Sequence, residues 1–323
     1  MALAALAALG VAGCAGSKRS AHGVHTETAP APSTGAVATT AAPVAPAATP
    51  VPITALPSTT RSPAPTTIPT TTTHAPPPST TPGAAAVQAT ANGGPGTLAP
   101  TGSGVLNAKV VTIDPGHNGG NFADPSYINH AIFNGRASEA CDTTGAETNS
   151  GYTEALFNWN LAQDVTADLR AEGATVVLTR TSNAGVGPCV TDRAAIGNNA
   201  HADAALSIHA DGGPATGRGF AILEPVADGV NSAIVAPSQI LGTDLRNAFL
   251  VGTGEPVSSY DGTNGIQPRN DLGGTNLSTV PKVFIECANM RNATDAALIV
   301  SPTWQARAAQ AISTGLTVFL TRP

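Results

Sequence analysis

The feature that most constrains what this chain can fold into is a boundary. No Phe, Tyr or Trp occurs before residue 105. The same stretch is built from Ala, Pro, Thr and Ser, with too little apolar bulk to offset the entropy of ordering it. This predicts one folded domain at residues 107–323, behind a disordered Pro/Thr/Ala-rich tether at residues 20–106 and a leader at residues 1–19. A domain of about 215 residues lies inside the usual single-domain range.

The leader carries Ala-Leu-Ala-Ala-Leu-Ala-Ala-Leu-Gly-Val-Ala-Gly at residues 2–13. The run has the length of a signal-peptide apolar core and is too short to span a bilayer. It ends in Val11-Ala12-Gly13-Cys14, which resembles the lipobox of bacterial lipoproteins. That resemblance implies cleavage before Cys14 and a diacylglycerol on its thiol. The protein would then be exported and lipid-anchored at the outer face of the cytoplasmic membrane, in the cell-wall space. An ordinary secretory leader is the alternative, and no Lys or Arg precedes the run, a departure from the usual basic start. The tether, with Thr70-Thr71-Thr72-Thr73 and Pro76-Pro77-Pro78, would reach roughly 50 Å as a flexible coil and about 260 Å as extended polyproline.

Charge divides at the same boundary. The chain has 21 acidic and 15 basic residues, and only Glu27, Lys18, Arg19 and Arg61 precede the domain, which leaves the domain a net of −8. An acidic domain argues against a nucleic-acid partner, because phosphate binding needs a basic face. A monomer is the default expectation.

Beyond the boundary, strands and helices alternate. Val110-Val111-Thr112-Ile113 runs into Asp114-Pro115-Gly116, which halts a strand and leaves His117 at its carboxyl end. Residues 153–172 carry Leu156, Phe157, Leu161, Val165 and Leu169 at helical spacing. Thr175-Val176-Val177-Leu178 reads as a buried strand and residues 192–199 as a short helix. Ala204-Ala205-Leu206-Ser207-Ile208-His209 and Phe220-Ala221-Ile222-Leu223 read as strands, residues 238–251 as a helix, and Val283-Phe284-Ile285-Glu286 as a strand. Ser301-Pro302 opens a terminal helix with a capping residue and a first-turn proline. The alternation predicts an α/β three-layer sandwich, with helices on both faces of the sheet.

In open α/β sheets, ligands gather at the carboxyl ends of strands. His117 and His209 each end an apolar strand, and Glu154 stands in the first turn of the long helix. Two imidazoles and one carboxylate would hold a tetrahedral Zn2+ with one position open. Such an ion lowers the pKa of coordinated water toward about 7. Glu286, ending another apolar strand, is the candidate general base. Taken singly, each strand-end His could be an ordinary hydrogen-bonded residue, and Glu154 a charge favoured by the helix dipole. A carboxylate after Val-Phe-Ile is costly to bury unpaired. Asp114 or Asp211 could orient a ligating imidazole or simply form turns. Glu139 and Glu147 are rivals to Glu154, but neither opens the long helix.

Val111-Thr112-Ile113-Asp114-Pro115-Gly116-His117, Ser150-Gly151-Tyr152-Thr153-Glu154, Ser207-Ile208-His209-Ala210-Asp211 and Val283-Phe284-Ile285-Glu286…Asn292 occur in that order. Together they resemble the four motifs of the zinc-dependent N-acetylmuramoyl-L-alanine amidases of the AmiC-like type, and the cysteine-containing loops resemble the mycobacterial members. The resemblance implies a mixed sheet of about six strands flanked by helices. It implies zinc ligation by His117, Glu154 and His209, with Glu286 as the catalytic carboxylate. The implied reaction is hydrolysis, in peptidoglycan, of the amide joining muramic acid to L-alanine of the stem peptide. Arg269 matches a basic position of the family, as a substrate contact or a salt-bridge partner. A wall-binding or regulatory module without the chemistry, and a zinc peptidase acting on stem peptides, are the alternative functions. Between His209 and Glu286 no long extra helical insertion of the sort that plugs some members of the family is visible, so the site is expected to be open without an activator.

Cys141 and Cys189 lie in polar loops of an exported chain and are expected to form a disulfide. Closing that loop of about 49 residues would stabilise the fold by roughly 4 kcal/mol in the chain-entropy model. Cys287 follows Glu286, so strand alternation turns it to the opposite, buried face. His130 and His201 are expected to face solvent.

Overall fold

The computed structural model describes residues 94–323. The leader, the Cys14 lipidation site and nearly all of the tether lie outside the described residues.

The strands are β1 (Gly96–Leu98), β2 (Val110–Pro115), β3 (Ala131–Phe133), β4 (Ser138–Ala140), β5 (Thr175–Leu178), β6 (Ala204–Asp211), β7 (Ala221–Pro225), β8 (Ile266–Arg269) and β9 (Lys282–Asn289). The helices are α1 (Pro125–Ile128), α2 (Glu154–Ala171), α3 (Val190–Asn199), α4 (Val235–Thr253), α5 (Gly273–Asn276), α6 (Ala293–Ile299) and α7 (Pro302–Leu320). Seven strands form one mixed sheet in the order β1-β5-β2-β6-β9-β7-β8, and β3 and β4 form a separate hairpin. Strands β5, β2, β6 and β9 are mutually parallel, whereas β1 and β7 run antiparallel to their neighbours β5 and β9.

The sheet thus has seven strands, against the expected six or so. The two strands beyond the five read from the sequence, β1 and β8, are its two edges. β8 contains Pro268, which an edge strand tolerates because one side of its ladder is unpaired. β1 corrects the domain boundary. Gly96–Leu98 pairs with β5, and Leu106 is fully buried, so the folded part begins before residue 107. Residues 94–106 belong to the domain rather than to the tether.

The two faces of the sheet differ. On one, α2 and α4 pack against the strands and α7 packs against both helices, burying Val111, Ile113, Leu206, Ile208, Val283, Ile285 and Cys287. Leu161, Val165 and Leu169 of α2 lie in this core, as their helical spacing requires. α7 is capped by Ser301, whose side chain accepts from the Trp304 N–H. The other face carries α3 and α5, and its apolar clusters are small. Its interior is polar: Asp114, Arg193 and Lys282 are buried there and joined by ion pairs of 2.9 and 3.3 Å. No helix among the described residues is long and apolar enough to cross a membrane.

Candidate metal centre

Register brings the site together. Strands β6 and β9 are parallel neighbours in which His209 is paired with Glu286 and Ser207 with Phe284. Alternation then sets Phe284 and Glu286 on one face, and Ile285 and Cys287 on the other. The latter two are fully buried in the main core. Strand β2 runs beside β6 as far as Pro115 opposite Ile208, so His117 emerges just past the strand's carboxyl end. Its φ of 56° is unusual for a residue with a side chain and marks a locally strained turn of the kind that clusters at functional sites.

Glu154 is the first residue of α2 and only 4% exposed. Its Oε1 lies 2.9 Å from His209 Nδ1 and 3.2 Å from His117 Nε2. Arg180 sets this spacing. Fully buried, it donates to the carbonyls of Pro115 at 2.9 Å and Ala155 at 2.9 Å, tying the end of β2 to the start of α2. The His209 ring stacks on Phe284 with centroids 4.9 Å apart. Gly116 lies against the same ring so closely that a Cβ there would come within 2.1 Å of His209 Cε1. Gly145, with φ of 77°, similarly abuts His117 and Glu154; a Cβ there would meet them at 2.7 and 2.8 Å.

The electrostatics favour a positive charge among these atoms. Burial opposes ionisation of His117, yet the Glu154 and Asp142 carboxylates raise its pKa to about 10. Burial likewise opposes the charge on Glu154, but the two imidazoles hold its pKa well below the ordinary carboxylate range. Burial pushes His209 down. Glu286 differs from Glu154: burial, then the charges of Glu154 and Asp211, push it well above the usual value. Its Oε2 is buried and has no hydrogen-bond partner among the described residues. A cleft of about 350 Å³ exposes His117, Glu154, His209, Asp211, Arg269 and Glu286 together.

A tetrahedral zinc site with bonds near 2.0–2.1 Å places its donors about 3.4 Å apart. Donor atoms of His117, Glu154 and His209 all lie within 4.8 Å of one another, and two of the separations are those given above. Two imidazoles and a carboxylate, converging in a site that favours positive charge, fit such an ion.

A model of the N-acetylmuramoyl-L-alanine amidase family matches residues 111–318. The chain belongs to that family. It is 38% identical over 216 residues to N-acetylmuramoyl-L-alanine amidase Rv3717 of Mycobacterium tuberculosis, a match that covers 67% of this chain and 88% of that protein. The crystal structure of the N-acetylmuramyl-L-alanine amidase Ami1 from Mycobacterium smegmatis aligns with a TM-score of 0.63 at 38% identity, covering 67% of this chain and 98% of the other. The apo form of Ami1 from Mycobacterium abscessus gives 0.63 at 36% identity, covering 66% and 99%. As a member of the family, the chain is a peptidoglycan amidase, a hydrolase of the bond between N-acetylmuramic acid and L-alanine.

In this amidase the four residues singled out for chemistry meet at one cleft. Neither rival to Glu154 joins the His117–Glu154–His209 cluster, although Glu139 lines a pocket that His117 and His209 also line. Glu139 accepts a hydrogen bond from Asn134 at 3.0 Å, and Glu147 is exposed. Arg269 lines the cleft while its guanidinium pairs with Asp271 at 2.7 Å. Cys141 and Cys189 form a disulfide, and Cys287 is a buried free thiol. His130 and His201 are exposed. Neither Asp114 nor Asp211, each read as able to orient an imidazole or simply to form a turn, is hydrogen-bonded to an imidazole among the described residues. Asp114 accepts from Thr179, Ser207, Arg193 and Lys282, and Asp211 neighbours Tyr260, whose phenol burial and this carboxylate push up. The carboxylate that meets His117 is Asp142, 3.3 Å from Nδ1. Phe284, Gly116 and Arg180 are further supports whose role was not read from the sequence, although Phe284 and Gly116 stand in the motifs quoted above. Phe284 was accessible in principle, because it lies two residues from Glu286 on the same strand face.

Proposed function

We propose that this enzyme is a zinc-dependent amidase in which His117, Glu154 and His209 hold the ion and Glu286 carries the proton. When bound, zinc supplies a Lewis acid that polarises a carbonyl and lowers the pKa of coordinated water toward about 7. The chain's own residues do the rest. His209 is kept in place by Phe284 and Gly116, and Glu154 by Arg180 and the start of α2. Glu286 stands beside His209 with a carboxylate oxygen committed to no other group. It accepts the proton of the attacking water and delivers it to the leaving L-alanine nitrogen, a task suited to a carboxyl whose pKa burial and neighbouring carboxylates raise above its usual value. That uncommitted oxygen beside the His-Glu-His cluster is the observation that carries the reading.

The cleft that holds these residues is lined by none of α4, which packs against α7. We therefore expect turnover of bare sacculi without an activating protein. The lipobox resemblance supports anchoring at Cys14, with the tether carrying the enzyme into the wall.

The test combines metal analysis with mass spectrometry of products. Stem peptides beginning with free L-alanine, released only by the zinc-loaded protein, are the expected result. Cleavage within the stem peptide would identify a peptidase instead. Turnover that survives exhaustive chelation would remove zinc from the account.

A further inference from the structure

The polar side of the metal centre contains a closed loop of contacts that the chemistry above does not use. His117 Nε2 faces Glu154, so Nδ1 is the nitrogen remote from the cluster. Nδ1 lies 3.3 Å from Asp142 Oδ1, 3.2 Å from the Thr143 carbonyl and 3.2 Å from the Thr143 hydroxyl. The carboxylate and the carbonyl can only accept. A neutral imidazole has one N–H, and these neighbours draw it to Nδ1, leaving the Nε2 lone pair free to point at a metal.

Asp142 is itself held on every side. It is 4% exposed, Oδ1 accepts the Thr143 N–H at 2.7 Å, and Oδ2 accepts from Arg193 at 3.0 Å. Arg193 also donates to the carbonyls of His117 at 2.9 Å and Pro115 at 2.8 Å, and pairs with Asp114. It lies one turn into α3. Cys189 is the residue that precedes α3, and it is bonded to Cys141, the residue before Asp142. The Val190 N–H donates to the Cys141 carbonyl at 2.8 Å. From Asp142 the path therefore runs through Cys141, the disulfide and the first turn of α3 to Arg193, and back to Asp142.

We infer that Asp142 is a positioning residue for His117, setting its tautomer and aim, and that the Cys141–Cys189 disulfide with Arg193 forms the clamp that keeps Asp142 there. Breaking the disulfide then weakens metal binding although neither cysteine is a ligand. The inference rests on His117, Glu154 and His209 being the metal ligands. A carboxylate that served only to neutralise the buried Arg193 would affect stability and leave metal affinity alone, and this separates the two roles.

The experiment measures zinc affinity of the full chain by competition with a chromophoric chelator, alongside thermal melts of the metal-free proteins. Outer-shell partners of ligating histidines are worth about 10–100-fold in metal affinity. Asp142→Asn and Asp142→Ala should each lose an amount in that range, with Asp142→Glu closer to wild type. Cys141→Ser/Cys189→Ser, or wild-type protein reduced by a phosphine should the double variant not fold, should lose affinity in the same direction. Asn and Ala variants that bind zinc within about threefold of wild type, while melting lower, would overturn the role of Asp142. Asp142 variants that weaken binding while the reduced protein does not would remove the disulfide from the clamp. His117→Ala is the control on the premise: undiminished zinc affinity there would show that the ion is held elsewhere.

Discussion

Gly116→Ala adds a single methyl group beside the proposed metal centre, and its effect can be worked from the geometry. The new Cβ would lie 2.1 Å from His209 Cε1, 2.3 Å from Nε2 and 2.6 Å from Nδ1. Ordinary contact between carbon atoms begins near 3.5 Å, so ring or backbone must give way by about 1.4 Å. The backbone is pinned. The Gly116 N–H donates to the Ile208 carbonyl at 3.0 Å, and its carbonyl accepts from Asn158 at 3.2 Å and Arg180 at 3.3 Å. The ring is already stacked on Phe284. A displacement of about 1 Å in a reacting group costs on the order of 10²-fold in rate, equivalent to roughly 2.7 kcal/mol of barrier. Overpacking costs a further ~1–3 kcal/mol of stability. The assay is kcat/KM on a muramoyl peptide, with zinc content and guanidinium denaturation measured on the same preparation. A Gly116→Ala enzyme within about twofold of wild type in kcat/KM, with undiminished zinc, would show that His209 is not wedged as described.

Glu286→Gln should lower kcat by about 10²–10⁴-fold while zinc content stays at the wild-type level; loss of zinc with activity would make Glu286 a ligand instead. In the metal-free protein His117 has a folded-state pKa of about 10, above its ordinary value. The stabilisation it contributes is thus complete below about pH 6.5 and is lost as pH rises through about 10. Chemical denaturation in the presence of chelator should show stability falling across that window, and a flat or rising profile would contradict the assignment. Zinc requires the same imidazole neutral, so loading near pH 7.5 should release about one proton, measurable by calorimetry in buffers of different ionisation enthalpy. Replacing Cys141 and Cys189 by Ser should lower unfolding free energy by roughly 4 kcal/mol, and a loss below about 1 kcal/mol would mean that the loop is ordered without the bridge.

Much of the fold was legible because it obeys local rules. The strands flanked by helices were readable from apolar runs and helical spacing, and they reappear within a few residues. Strand alternation alone separated Glu286 from Cys287. The strands that were not foreseen in the main sheet are β1 and β8, three and four residues long at its two edges. An edge strand buries one flank of its ladder, so it needs neither the length nor the apolar run that marks a central strand. The hairpin of β3 and β4 escaped for the same reason, with no buried residue in either strand.

The site divides along similar lines. The four residues proposed for the chemistry could be named from sequence, because each sits at a strand end or helix start with a recognisable local pattern, and they line one cleft. By itself the sequence determined where the domain lies, which elements it contains and which side chains stand at their ends. Only the tertiary structure decided which partner each of them meets. Asp142 rather than Asp114 or Asp211 reaches His117, because the path of a long loop, the disulfide and the start of α3 converge there. Hydrogen bonding of this kind depends on sub-ångström distances between residues far apart in the chain, and no local periodicity encodes them. Sheet register sets such distances for His209 and Glu286, and buried Arg180 does so for His117 and Glu154.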